Sequence, residues 1–153
     1  MYKRQVQNNE PQIGKDTLEV LEKNKVDCAC VKGLKCCGMP AWEQGDLETL
    51  RVNAKHNLDI LIPFVEKGSK VLVINPTCSM MMRREYTELL DGEDRERAKK
   101  LSEAVNDPSE YLWNIRNEDR FNTDVNSIPN EKIRYHAPCH LSCLLYTSPS
   151  PRD

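Results

Sequence analysis

The residues with chemistry to offer in this 153-residue chain are its cysteines, seven in all. Cys36 and Cys37 stand side by side in "KGLKCCGMPAWEQGDLETL", with Gly38 directly after them and Pro40 two positions further on. Cys28 and Cys30 precede this doublet, Cys78 and Cys139 follow it, and Cys143 opens the C-terminal tail. Adjacent cysteines rarely pair with each other, because the small ring so formed strains the peptide between them. They do present two thiolates at different angles to one centre, and thiolates are the soft ligands suited to iron–sulfur clusters or zinc. Gly38 allows a left-handed turn or a close backbone approach, and Pro40 removes a donor and stiffens the exit from that turn. With the tail set aside, neither the ferredoxin spacing nor a C-x₂₋₄-C zinc pair is present. Spacing alone leaves two readings open: a thiolate metal or redox site, or buried cysteines packing as small hydrophobes.

The ends of the chain do not share the pattern of its middle. Residues 143–153, "CLLYTSPSPRD", read as the translation of a sequencing-library adapter, and residues 1–5, "MYKRQ", as the same adapter taken from the other strand. Both ends are set aside as adapter-derived, the competing reading being a disordered Ser/Pro tail. The segment from Val6 to Ser142 is then expected to be an internal piece of a longer protein. Lys and Arg number 22 against 24 Asp and Glu, and no basic block stands out, so nothing points to nucleic acid. The apolar runs "DILIPFV" and "KVLVIN" are far too short to span a bilayer. Clustered cysteines among long amphipathic helices read as cytosolic metal or redox chemistry rather than as a secreted disulfide scaffold.

The elements that must position these cysteines follow from periodicity. "IGKDTLEVLEKN" (13–24) predicts a helix, and "KVDCACV" (25–31) a short strand with Cys28 and Cys30 on one face. Leu47, Leu50, Ala54, Leu58, Leu61 and Val65 recur at strides of three and four. That stripe predicts a helix from Asp46, its N-cap, to about Lys67, with Gly68 ending it and Pro63 disturbing its last turn. The N-terminus of this helix is expected to face the cysteine turn, where its dipole favours negative charge. His56 falls among its polar positions and reads as solvated. "KVLVIN" (70–75) predicts a buried strand with "PTC" at its end. "MMRREYTELL" and "EDRERAKKLSEAV" predict helices, and "DPSEYLWNI" begins another, with Asp107 as cap and Pro108 first. Met80–Met82 read as packing under the cysteine loop, Trp42 and Trp113 as core. Residues 116–131 read as a linker, and "KIRYHAP" (132–138) as a strand. Strand, cysteine turn, helix and strand make a βαβ-type α/β unit, whose strand ends would gather Cys36, Cys37 and Cys78 in one crevice.

"CCGMPAWEQGDLETLRVNAKHNLDIL", "NPTC" after the next strand, and "YHAPCHL" together resemble the cysteine-rich CCG domain. That domain occurs in heterodisulfide reductase, in the glycolate oxidase iron–sulfur subunit and, nearest in layout, in the cysteine-rich subunit of anaerobic glycerol-3-phosphate dehydrogenase. The resemblance implies a Rossmann-like βαβ domain over residues 6–115, truncated at its start, a linker over 116–131, and the start of a second such domain over 132–142. In that family two CCG domains follow ferredoxin-type modules, and each holds a cluster through C…CCG…CxxC cysteines. Cys36 and Cys37 match the CCG pair, Cys78 the last cysteine of the set, and Cys139 the first cysteine of the second domain, which would serve a second cluster. The first cysteine of the first domain would fall before Val6. Asn75 stands where CxxC would have another cysteine, and it reads as a turn residue. His136 and His140 flank Cys139 and, like Gly38, Pro40 and Asn75, would support the ligands rather than bind metal.

The resemblance further implies a [4Fe–4S]-type iron–sulfur electron-transfer subunit of a respiratory dehydrogenase. Electrons would come from a flavin-containing subunit oxidising glycerol 3-phosphate or a similar small hydroxylated substrate. They would leave towards quinone through a membrane-linked partner, with the complex peripheral on the inner face of the cytoplasmic membrane. The chain itself would supply ligands and no substrate chemistry. Two alternatives stand beside this: a heterodisulfide-reductase-like subunit whose cluster reduces a disulfide, and a non-catalytic zinc or thiol interaction domain.

Overall fold

The computed structural model describes residues 10–124 together with Lys132, His136, Pro138, Cys139 and His140. The described chain is mostly helical, and its two short strands form a parallel sheet. Helix α1 (Pro11–Lys23) starts on a proline and ends at Asn24, whose side chain donates back to Val20 O at 2.8 Å. After the cysteine loop comes α2 (Met39–Glu43), then α3 (Leu47–Val65). Strand β1 (Val71–Leu72) leads through α4 (Pro76–Met80), a π-helical turn (Met81–Glu85), α5 (Tyr86–Leu89) and α6 (Gly92–Ala104) to β2 (Val105–Asn106). Val71 pairs with Val105 and Leu72 with Asn106, so the helical crossover brings the chain back parallel. Helix α7 (Pro108–Asn114) follows behind a capping box of Asp107 and Glu110.

The main core lies where α3, the rod from α4 to α5, and α6 meet. Leu50, Ala54, Leu58 and Leu61 of α3 are sealed against Met81, Met82, Tyr86, Ala98 and Leu101. Salt bridges clamp the rim of the same contact: Arg97 of α6 reaches Asp59 of α3 at 2.6 Å, and Lys55 of α3 reaches Asp94 of α6 at 3.1 Å. A smaller cluster of Leu21, Val26 and Ile115, with Phe121 against it, fixes α1 beside α7. No helix among the described residues is long and apolar enough to cross a membrane.

Several expectations are corrected. Residues 26–31 form no strand; Val26 is buried, Cys28 half-buried and Cys30 exposed, and no partner strand among the described residues offers them a ladder. Among the described residues the sheet has two parallel strands joined by a helical crossover, an α/β arrangement. The strand at 70–75 is paired only over its first half, since the Val73 N–H bond to Asn106 O is the last before Asn75 turns into a helix. Helix α3 ends at Val65, short of Lys67, with Pro63 in its last turn. Leu47 is exposed at the start of its stripe, while Asn57 and Ile62 are buried. Trp42 and Trp113 are not core: they are 39% and 66% exposed, and Arg116 stacks over the Trp113 ring. The strand expected over 132–138 lies mostly outside the described residues. Of the linker, residues 116–124 are irregular but tied back, with Asn122 N–H bonded to Asn24 Oδ1 at 2.8 Å.

Candidate metal centre

The cysteine loop is shaped by Gly38, whose φ of 95° lies in the left-handed region. A side chain there would also collide with Leu50 Cδ1 and come within 3.3 Å of Leu50 Cγ, so the turn needs glycine twice over. Pro40 sits in the first turn of α2, where its missing N–H costs nothing. The helix that begins at the cysteine turn is therefore α2. Asp46 instead caps α3 on the surface, accepting from Thr49 N–H at 3.1 Å.

Cys78 arrives from the other side of the core. Asn75 accepts from the N–H groups of Thr77 at 2.9 Å and Cys78 at 3.2 Å, capping α4 and fixing its first turn. The result brings Cys37 and Cys78 together although they lie far apart in sequence. Both are buried, and their sulfurs are 3.1 Å apart. The hydrogen bond from Cys78 lowers the Cys37 thiol, with help from the Met39 N–H and from Cys36 and against the effect of burial. The same bond and burial raise Cys78, so the pair parts with its first proton readily and holds the second. Cys36 is exposed to solvent and also acts to lower the Cys37 thiol.

Three side chains that sequence periodicity did not single out support this loop. Asn57, fully buried on α3, bonds Lys35 and Cys36 of the loop backbone, and Tyr86 donates to Cys37 O at 3.0 Å. His56 reaches Gly33 O with Nε2 at 2.9 Å instead of standing free in solvent. The signal available was slight: Asn57 is a polar residue three positions beyond Ala54 on the apolar stripe, and Tyr86 stands four beyond the buried Met82. Met81 and Met82 are sealed beneath the cysteines as expected.

The remaining predicted residues lie to one side. His136 and Cys139 are exposed, and the His140 ring nitrogen Nδ1 meets Thr77 Oγ1 at 2.9 Å, next to Cys78. Among the described residues no three His, Cys, Asp or Glu side chains are already arranged to hold a metal ion. Two concavities, one between α1 and α7 and one between the rod and α6, lie away from these sulfurs. The donor set still fits a thiolate-bound metal in kind. Two thiolates at about 2.3 Å from one tetrahedral ion stand about 3.8 Å apart, so Cys37 and Cys78 would have to open by about 0.7 Å. The Ser79 hydroxyl beside Cys78 in sequence is buried with no partner among the described residues, a spare donor of the type that hydrogen-bonds cluster sulfur.

The family model of the CCG cysteine-rich domain matches residues 4–83, which span the doublet, its glycine and Cys78. The chain belongs to the CCG cysteine-rich domain family. Among its relatives are lactate utilization protein A of Shouchella clausii, 30% identical over 143 residues, and that of Halalkalibacterium halodurans, 32% identical over 146. These matches cover 92% and 94% of this chain and 56% of each relative. One subunit of the anaerobic glycerol-3-phosphate dehydrogenase of Escherichia coli K12 is 29% identical over 143 residues, covering 93% of this chain and 35% of the relative. This CCG chain thus spans about half, or less, of the length of the curated relatives it matches. No solved structure matches it.

Proposed function

We propose that this chain is the cluster-bearing part of an iron–sulfur electron-transfer subunit in a respiratory dehydrogenase complex, built on a Rossmann-like CCG domain. The observation that carries the reading is the meeting of Cys37 and Cys78, two distant thiols brought within 3.1 Å on a family-defining turn. Cys36, Cys37 and Cys78 would hold the cluster, of [4Fe–4S] type, and Cys139 would begin the ligand set of a second. Asn75 would act by capping α4, and Gly38 and Pro40 by shaping the loop. His136 and His140 would support Cys139. The cluster, when bound, supplies one-electron transfer; the chain tunes it through burial and hydrogen bonds to sulfur.

The named relatives concern lactate utilization and glycerol 3-phosphate oxidation. Both compounds are small and hydroxylated, which supports a flavin-containing partner subunit that oxidises such a substrate. Electrons would leave towards quinone through a membrane-linked partner, with the complex on the cytoplasmic face of the membrane. A second reading, a metal-free thiol pair, draws on the close approach of the two sulfurs. Iron and acid-labile sulfide analysis with EPR, on full-length protein purified without oxygen, separates the two. A brown protein with iron and sulfide in equal amounts is expected; a colourless protein carrying zinc or no metal would sink the proposal.

A further inference from the structure

Asn57 and Tyr86 are both fully buried, and neither belongs to the proposed ligand set. A primary amide sealed from water is tolerated only where its groups are used. Asn57 Oδ1 accepts from Lys35 N–H at 2.8 Å. Its Nδ2 faces Lys35 O and Cys36 O, each at 3.4 Å, and Tyr86 Oη at 3.2 Å. Tyr86 Oη in turn donates to Cys37 O at 3.0 Å. Three consecutive loop residues are thus gripped by two side chains from two different helices.

Tyr86 stands on the same unbroken helical rod as Cys78, which joins α4 through the π turn to α5. The bond from Tyr86 to Cys37 O therefore spans the same two segments as the contact between the Cys37 and Cys78 sulfurs. We infer that Asn57 and Tyr86 are positioning residues that set the Cys36–Cys37 doublet against Cys78, holding the thiols of two distant segments to one centre. The inference rests on the reading of these cysteines as ligands of a shared cluster.

The test uses full-length wild type, Tyr86→Phe and Asn57→Leu, all purified without oxygen, with two readouts. In metal-free protein, iodoacetamide labelling is followed cysteine by cysteine by mass spectrometry. Unpairing a buried carbonyl of the loop eases its local opening, so labelling of Cys37 and Cys78 should rise roughly tenfold. Cys30, already exposed, and Cys28, outside the loop, should label as in wild type. In protein reconstituted with ferrous iron and sulfide, Tyr86→Phe should shift the reduction potential and the EPR spectrum at wild-type iron content. Unchanged labelling of Cys37 and Cys78 in both variants would overturn the inference, whether or not a cluster forms. A rise that includes Cys28 equally would do the same, by marking the two residues as general core. A selective rise in a protein that takes up no cluster would keep the positioning of the thiols and sink the cluster reading instead.

Discussion

At Cys37 the outcome of folding hangs on single atoms. Gly38 was legible from sequence because only glycine accepts both a left-handed φ and a neighbour as near as Leu50. Asn57 and Tyr86 were not, since their partners are backbone groups of a loop more than twenty residues away. Tyr86 also carries a measurable titration. Burial holds its phenol protonated above its ordinary value of 10.0, against the Asn57 hydrogen bond, which favours the ionised form. A pKa raised on folding gives a contribution that is intact below the unfolded value and lost as pH climbs through the folded one. Wild type should therefore lose stability from about pH 10 upward, by at most about 1.4 kcal/mol per pH unit from this group. Tyr86→Phe should lose less over the same range. Urea midpoints at about pH 9 and about pH 11 measure this, and equal losses in the two proteins would refute it.

Helices announced themselves through local chemistry, and strands did not. Asp46, Asp107 and Pro108 sit where capping rules put them, because an N-cap needs nothing beyond its own turn. A strand needs a partner, and neither the lack of one for residues 26–31 among the described residues nor the shortness of β1 is written in their own residues. Asn75 shows what an element's end does for the site. Its side chain holds the first turn of α4, and that turn holds Cys78. Asn75→Ala should cost about 1 kcal/mol and speed iodoacetamide labelling of Cys78 in the metal-free protein, while Asn75→Asp, which keeps the cap, should behave as wild type. Thermal unfolding with residue-resolved labelling provides the check; an alanine variant as stable and as unreactive as wild type would count against the role.

Among the described residues there are two apolar clusters, and the larger contains Cys37 and Cys78. The smaller one ties α1 to α7 and to the segment around Phe121, so these parts should open together and before the core beneath the cysteines. Leu21→Ala removes the most buried α1 side chain of that cluster and should cost about 2–4 kcal/mol locally. Hydrogen exchange should then accelerate in α1 and α7 and stay near wild type in α3 and α5. Uniform acceleration would mean that the two clusters open as one unit. The recurrence of apolar residues at strides of three and four revealed α3 well. It gave no sign that α1 leans on the segment after α7, because that contact joins chain segments nearly a hundred residues apart.

The π turn at Met81–Glu85 has a bearing on phase. Eight positions separate Cys78 from Tyr86, and along a plain α-helix eight positions would leave the two side chains about 80° apart in azimuth. One wide turn absorbs about one residue, so the spacing counts as seven and the mismatch shrinks to about 20°. The extra residue acts as a shim that rotates the phenol back under the sulfur. A relative that lacked it would keep the same alignment only with its tyrosine seven places after the cysteine, a spacing rule that any lengthening or shortening of this rod must obey.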